Sequence, residues 1–226
     1  MTAGPESAKA DVSALILAGG RGERLGGRPK ALLEAGGETL LERVVTQAEA
    51  HASQVVVGLP VELVATGADI LGARAMVIEG GETRQGTFRN AFDKSGGEIV
   101  VVHDVARPFA SPRLWESVIA GAREHGAAAP AVALPVRDSL AVREGDWLGS
   151  PVDREALVAI QTPYAFRRSM LAEVLDAADA RGWVENSVTT LVTLSGRRVA
   201  LVPGEAGNTK VTVEQDWDEA ARRISG

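Results

Sequence analysis

The chain contains no cysteine. It therefore has no disulfide framework, no zinc–thiolate centre and no thiol nucleophile. It also has no apolar run approaching the roughly 20 residues that a membrane-spanning helix requires. The opening stretch MTAGPESAKAD is small and polar and lacks the apolar centre of a secretory signal. A soluble, cytoplasmic protein is the expectation, with residues 1–10 as a mobile tail. Basic charge is not in excess: 24 Lys and Arg face 30 Asp and Glu, a formal net charge of −6. That balance argues against a nucleic-acid surface and suits a small ligand bound by local charge. Aromatics make up only 4% of the sequence. No internal repeat, Ser–His pair or Cys–His pair is visible. His51 and His125 fall at expected helix ends and suggest no metal site.

What is present is enough for one α/β domain: 226 residues, 45% of them hydrophobic. Residues 12–18 are almost wholly apolar, as a strand covered on both faces of a parallel sheet must be. Further strands are expected at 54–59, 75–78, 99–102, 127–134 and 198–202. Helices are expected at 84–92, 167–180 and 187–194, with another from Ser111-Pro112 to Gly126. Capping boxes at Thr39–Glu42 and Thr212–Gln215 would open two more, running to about Ala50 and Ile224. Strands alternating with helices imply right-handed crossovers, and ligands of such sheets gather at the carboxyl ends of the strands. Residues 136–159 break the rhythm and read as a hairpin excursion turning at Arg143–Asp146.

The first strand runs into LILAGGRGERLGGRPKALL. Its glycines allow sharp bends and close approach of N–H groups to a ligand. Arg21, Arg24, Arg28 and Lys30 add positive charge. The loop is neither a Walker A motif nor a dinucleotide loop, yet donors and cations directly after a buried strand suit a polyphosphate. Gly80-Gly81-Glu82-Thr83-Arg84-Gln85-Gly86-Thr87 is a second strand-to-helix turn. Its amides, with the Glu82 and Thr87 side chains, offer hydrogen bonds to a base edge. In VVHDVARPF, Asp104 suits a hard cation or a polyol hydroxyl and Arg107 a phosphate. The alternative there is an Asp104–Arg107 pair that only stabilises the turn. His103 reads as a packed histidine. Arg154 and Lys210 taken alone read as surface cations.

In order, the glycine loop with Pro29-Lys30, GGETR with Thr87, VHDVARPF, PVRDS, VDR, QTP and NTKVT resemble the 2-C-methyl-D-erythritol 4-phosphate cytidylyltransferase family over about residues 12–224. The resemblance implies a Rossmann-like nucleotidyltransferase fold with a mostly parallel mixed sheet. It further implies that residues 1–226 form a single domain with 136–159 as a protruding dimerisation arm. The implied reaction is transfer of the cytidylyl group of CTP to 2-C-methyl-D-erythritol 4-phosphate with magnesium, releasing pyrophosphate, in non-mevalonate isoprenoid precursor synthesis, by a homodimer. By the same resemblance, Arg24, Lys30 and Lys210 are the catalytic cations. Ala18, Gly19, Gly20, Gly22, Gly81, Glu82 and Thr87 contact CTP. Asp104, Arg107, Ser139, Arg154 and Thr162 contact the acceptor, Arg154 in the neighbour's site, and Asp104 is also the metal candidate. Two departures stand out. Tyr164 follows Pro163 where the family usually has Gln, and Asn186-Ser187-Val188 replaces an acidic pair. Another polyol phosphate or a molybdopterin acceptor, or a non-catalytic nucleotide-binding homologue, are the alternatives.

Overall fold

The computed structural model describes residues 9–20 and 22–226. Of the tail expected at residues 1–10, residues 1–8 lie outside the described residues, as does the Arg21 cation. Lys9 is not loose: its ammonium donates to the Glu49 carbonyl at 3.4 Å.

Strand β1 (Val12–Leu17) is buried along its whole length. Val12, Ala14 and Ile16 enter one core, while Leu15 and Leu17 enter another on the opposite face. This two-sided burial is the physical reason the stretch carries no polar alternation. After β1 come a short ribbon, β2 (Glu34–Ala35) and β3 (Glu38–Thr39), and helix α1 (Leu40–Glu49). The capping box of α1 forms as read: Thr39 accepts from the Glu42 N–H, and the Glu42 carboxylate accepts from the Thr39 N–H. Then follow β4 (Gln54–Leu59), α2 (Val64–Leu71), β5 (Met76–Glu79), α3 (Arg84–Asp93), β6 (Ile99–Asp104), α4 (Pro112–His125) and β7 (Ala127–Ala133).

The arm strands β8 (Leu140–Glu144) and β9 (Trp147–Val152) pair only with each other. Strand β10 (Val158–Ile160) pairs antiparallel with β7, so the excursion read at 136–159 ends before residue 158. The last elements are β11 (Tyr164–Arg167), α5 (Arg168–Arg181), α6 (Val188–Leu194), β12 (Ala200–Pro203) and α7 (Glu214–Ser225). The main sheet runs β10-β7-β11-β6-β1-β4-β5, with β12 parallel to β7. Strand β11, like β10 and the β2–β3 ribbon, is an element the pattern did not reveal. It inserts antiparallel between β6 and β7, and a four-residue strand is too short to show a period. The second capping box also differs. Asp216, not Gln215, accepts the N–H groups of Thr212 and Val213, because the helix starts at Glu214.

Trp115 of α4 is fully buried in the first core. Its ring lies 5.9 Å from that of His51, nearly parallel, and 5.1 Å from that of His103. It thus packs α4 under the end of β6. Trp115→Ala should cost about 3–5 kcal/mol, as expected for removing a fully buried large aromatic. Urea unfolding would check it, and a loss below about 1 kcal/mol would mean that the site collapses around the gap.

Candidate active site

Leu17 is in register with Asp104 of β6 and with Gly58 of β4. Three neighbouring strands therefore end at one level, and the chain continues from β1 to β4 on one side while β6 lies on the other. This is the switch point at which open α/β sheets bind ligands. A cavity of about 250 Å³ opens there, lined by Gly19, Gly20 and Lys30 of the glycine loop, by Gly81, Glu82, Arg84 and Thr87 of the second turn, and by Asp104 and Lys210. An adjoining groove of about 600 Å³ shares Gly19, Gly81, Glu82 and Thr87 with it.

Asp104 is the anion at the centre. Its Oδ1 accepts from Arg84 Nη2 at 2.6 Å and its Oδ2 from Lys210 Nζ at 2.8 Å. Burial pushes its pKa up, but the charges of Arg84 and Lys210, with their hydrogen bonds, more than offset this. The carboxyl is held well below the usual carboxylate range. Lys30 donates to the Val211 carbonyl at 2.8 Å, and Val211 N–H donates to the Ala106 carbonyl at 2.8 Å. The glycine loop, the turn after β6 and the segment before α7 are thereby interlocked. Burial first, then the charges of Lys210 and Arg24, lower the pKa of Lys30. Crowded, partly desolvated cations around one carboxylate favour an added polyanion.

The turns that deliver these groups need their glycines. Gly22 has φ 67°, and a Cβ there would lie 1.8 Å from the Arg28 carbonyl oxygen. At Gly81 a Cβ would meet Gly86 backbone at 2.6 Å, which lets the turn close on the first turn of α3. Thr87 completes it: its hydroxyl accepts from the Gly81 N–H at 3.1 Å and contacts the Thr83 carbonyl at 3.1 Å.

The structure does not gather every residue read from the sequence. Gly19, Gly20, Gly81, Glu82, Thr87, Lys30, Asp104 and Lys210 share the cavity. Ala18 is buried, its N–H bound to the Gly58 carbonyl at 3.0 Å, and neither Ala18 nor Gly22 lines the cavity. Arg24 lies exposed on a 3₁₀ turn, Glu23–Leu25, outside the cavity wall. The Thr162 hydroxyl accepts from the Asp104 N–H at 3.2 Å and so braces the carboxylate from behind. Arg107 turns away from the cavity: its Nη1 donates to the Asn208 carbonyl at 2.6 Å. The Asp104–Arg107 turn pair is thus replaced by Asp104 with Arg84 and Lys210. Ser139 and Arg154 line a separate groove at the base of the arm, and Arg154 donates to the carbonyls of Val136 and Arg137. As for a metal, both Asp104 oxygens are engaged by cations, and among the described residues no group of three His, Asp or Glu is placed to hold an ion. Arg84 belongs to the GGETR motif but is not among the site residues read from the sequence, although it is the first residue of a helix whose N-terminus faces the cavity.

At the two departures, Tyr164 is buried and its hydroxyl accepts from Ser187 Oγ at 3.5 Å. Ser187 in turn meets Thr189 Oγ1 at 2.7 Å. Glu185, which precedes the Asn186-Ser187-Val188 stretch, does not line the cavity.

A model of the 2-C-methyl-D-erythritol 4-phosphate cytidylyltransferase family matches residues 12–224. A protein of that name from Thermus thermophilus is 42% identical over 207 residues, 91% of this chain and 93% of its own length. The one from Deinococcus radiodurans is 39% identical over 213 residues, 94% of this chain and 89% of its own. The crystal structure of a Thermus thermophilus protein of the same name superposes with a TM-score of 0.79 at 37% identity, covering 96% of this chain and 100% of that one.

His103, fully buried beside the site, is the packed histidine read from the sequence. Its Nε2 lies 3.0 Å from the Arg107 carbonyl, which requires the proton on Nε2. Burial is the largest influence and lowers its pKa to about 4. The folded protein therefore keeps it neutral while the unfolded chain binds a proton near pH 6.5, so stability is full above that pH and falls as pH drops toward 4. Between about pH 7 and pH 4.5 the loss should be about 2–3 kcal/mol. Denaturant titrations across this range would measure it. His103→Gln should flatten the slope, and an unchanged slope would assign the effect elsewhere.

Proposed function

The chain belongs to the 2-C-methyl-D-erythritol 4-phosphate cytidylyltransferase family, and from that premise we infer that it transfers the cytidylyl group of CTP to 2-C-methyl-D-erythritol 4-phosphate, releasing pyrophosphate, in isoprenoid precursor synthesis. The observation that carries this reading is the convergence of Lys30, Lys210 and a glycine loop on one cavity at the sheet's switch point.

The nucleophile is already an anion. A phosphate oxygen of the acceptor attacks the α-phosphorus of CTP, the bond from that phosphorus to the β-phosphate bridge breaks, and pyrophosphate carries the electron pair away. No general base is needed, and neutral His103 plays none. The barrier lies in bringing anions together and in stabilising the charge that builds on the phosphoryl oxygens and the leaving group. In this reading Lys30 and Arg24 grip the triphosphate, Arg24 swinging in from the rim, and Lys210 faces the α-phosphate. Ala18, Gly19, Gly20 and Gly22 present backbone, while Gly81, Glu82 and Thr87 form the cytosine-reading turn. Asp104 receives a polyol hydroxyl, with Thr162 and Arg107 behind it. Among the described residues the chain offers no cage for magnesium, so the ion fits as a companion of the triphosphate, where it supplies charge neutralisation to phosphate oxygens.

A second copy would complete the site. Trp147 and Leu148 on the arm are 81% and 87% exposed, an apolar surface suited to a partner's arm or body. We therefore place Arg154 and Ser139 in the neighbour's acceptor site.

Pyrophosphate release should require CTP, magnesium and 2-C-methyl-D-erythritol 4-phosphate together; release with CTP alone, or none at all, would overturn the reading. Lys30→Ala should lower kcat by about 10²-fold or more, the scale of one lost transition-state donor, and a near-normal rate would remove Lys30 from the mechanism. Mixing Arg154→Ala with Lys30→Ala subunits should restore about a quarter of the wild-type rate, since random re-pairing leaves one intact site in each mixed dimer. No recovery would place Arg154 in its own chain's site.

A further inference from the structure

Arg84 is the cavity cation to which the sequence motifs assign no role. As the first residue of α3 it follows directly on the Gly81–Thr83 turn. Its guanidinium reaches in two directions, with Nη2 on Asp104 Oδ1 at 2.6 Å and Nη1 on the Asn186 carbonyl at 2.9 Å. Gln85 beside it donates to the Trp183 carbonyl at 2.9 Å and accepts from the Glu185 N–H at 2.8 Å. Two adjacent residues thus fasten the 183–186 segment, between α5 and α6, to the second turn and to the carboxylate at the end of β6.

We propose that Arg84 is a positioning residue for the acceptor: its two-armed guanidinium fixes the Asp104 carboxylate in the cavity by tying it to the 183–186 segment. This rests on the cytidylyl-transfer reading given above. Only a planar fork can serve both partners. A lysine ammonium keeps the charge facing Asp104 but presents no second rigid arm to Asn186. Without Arg84 the buried carboxylate keeps, among the described residues, only the Lys210 hydrogen bond on Oδ2, and Oδ1 loses its charged partner. Among the described residues no hydrogen bond or ion pair joins Arg84 to Lys30 or the glycine loop, so the triphosphate grip is preserved.

The test compares wild type, Arg84→Gln and Arg84→Lys in three measurements: steady-state pyrophosphate release, calorimetric CTP binding without acceptor, and hydrogen exchange at residues 183–186. Arg84→Gln should raise the KM for the acceptor about tenfold or more, the scale for losing a charge-assisted orienting contact. Its CTP Kd should stay within about twofold of wild type. Exchange at the Glu185 amide should rise while that of β1 and β6 does not. Arg84→Lys should recover part of the acceptor KM and none of the exchange protection. An unchanged acceptor KM would overturn the proposal. So would a parallel loss of CTP affinity, which would make Arg84 a nucleotide ligand, and so would full recovery by lysine, which would make charge alone sufficient. If wild type released no pyrophosphate with this substrate pair, the transfer reading would fail, while the exchange data would still report whether Arg84 holds the 183–186 segment.

Discussion

The carboxylate of Asp104 ends a strand that is buried along its whole length, and a buried charge is costly unless it is paired and hydrogen-bonded. Its register is fixed by the pairing of β6 with β1, so it cannot retreat to solvent, and its partners must come to it. Arg84 arrives from the start of α3, Lys210 from the segment before α7, and the Thr162 hydroxyl receives its main-chain N–H. Three stretches far apart in the chain meet because one ion must be satisfied. The same ion keeps two cations extended and ordered at the mouth of the cavity.

That arrangement ties electrostatics to catalysis without a proton-transfer group. Lys30 is drawn partly out of water, beside other cations, and anchored on the Val211 carbonyl. Lys30, Arg84 and Lys210 line the cavity, and a cation partly withdrawn from water interacts more strongly with an entering anion than it would in water. The glycine turns supply the complementary backbone. Gly22 and Gly81 are required by geometry at those two points, one by its left-handed conformation and the other by the closeness of Gly86.

The arm follows a different logic. A two-stranded ribbon carrying Trp147 and Leu148 has no face of its own to bury them against. Its base is braced by Arg154 on neighbouring carbonyls, so the hairpin is held out from the body. The residues read as acceptor contacts at that base, Ser139 and Arg154, lie in a groove apart from the cavity of their own chain.

Much of this was legible in the sequence. The unbroken apolar run of residues 12–18 marked a doubly covered strand, and Thr39 with Glu42 and Ser111 with Pro112 marked helix starts. These signals are local: periodicity, cap chemistry and glycine placement act within a few residues. The ordered motifs also pointed to the right family, since each is a contiguous piece of backbone shaped for a ligand. Tertiary structure alone decided the rest. Strand β11 was hidden because four residues carry no period, and its antiparallel place between β6 and β7 depends on partners far away in the chain. Arg107 turned inward to Asn208 and Arg84 turned toward Asp104, a reversal of the turn pair that proximity in sequence suggested. An ion pair forms where burial and register bring opposite charges to the same depth, and that depth is a property of the assembled sheet.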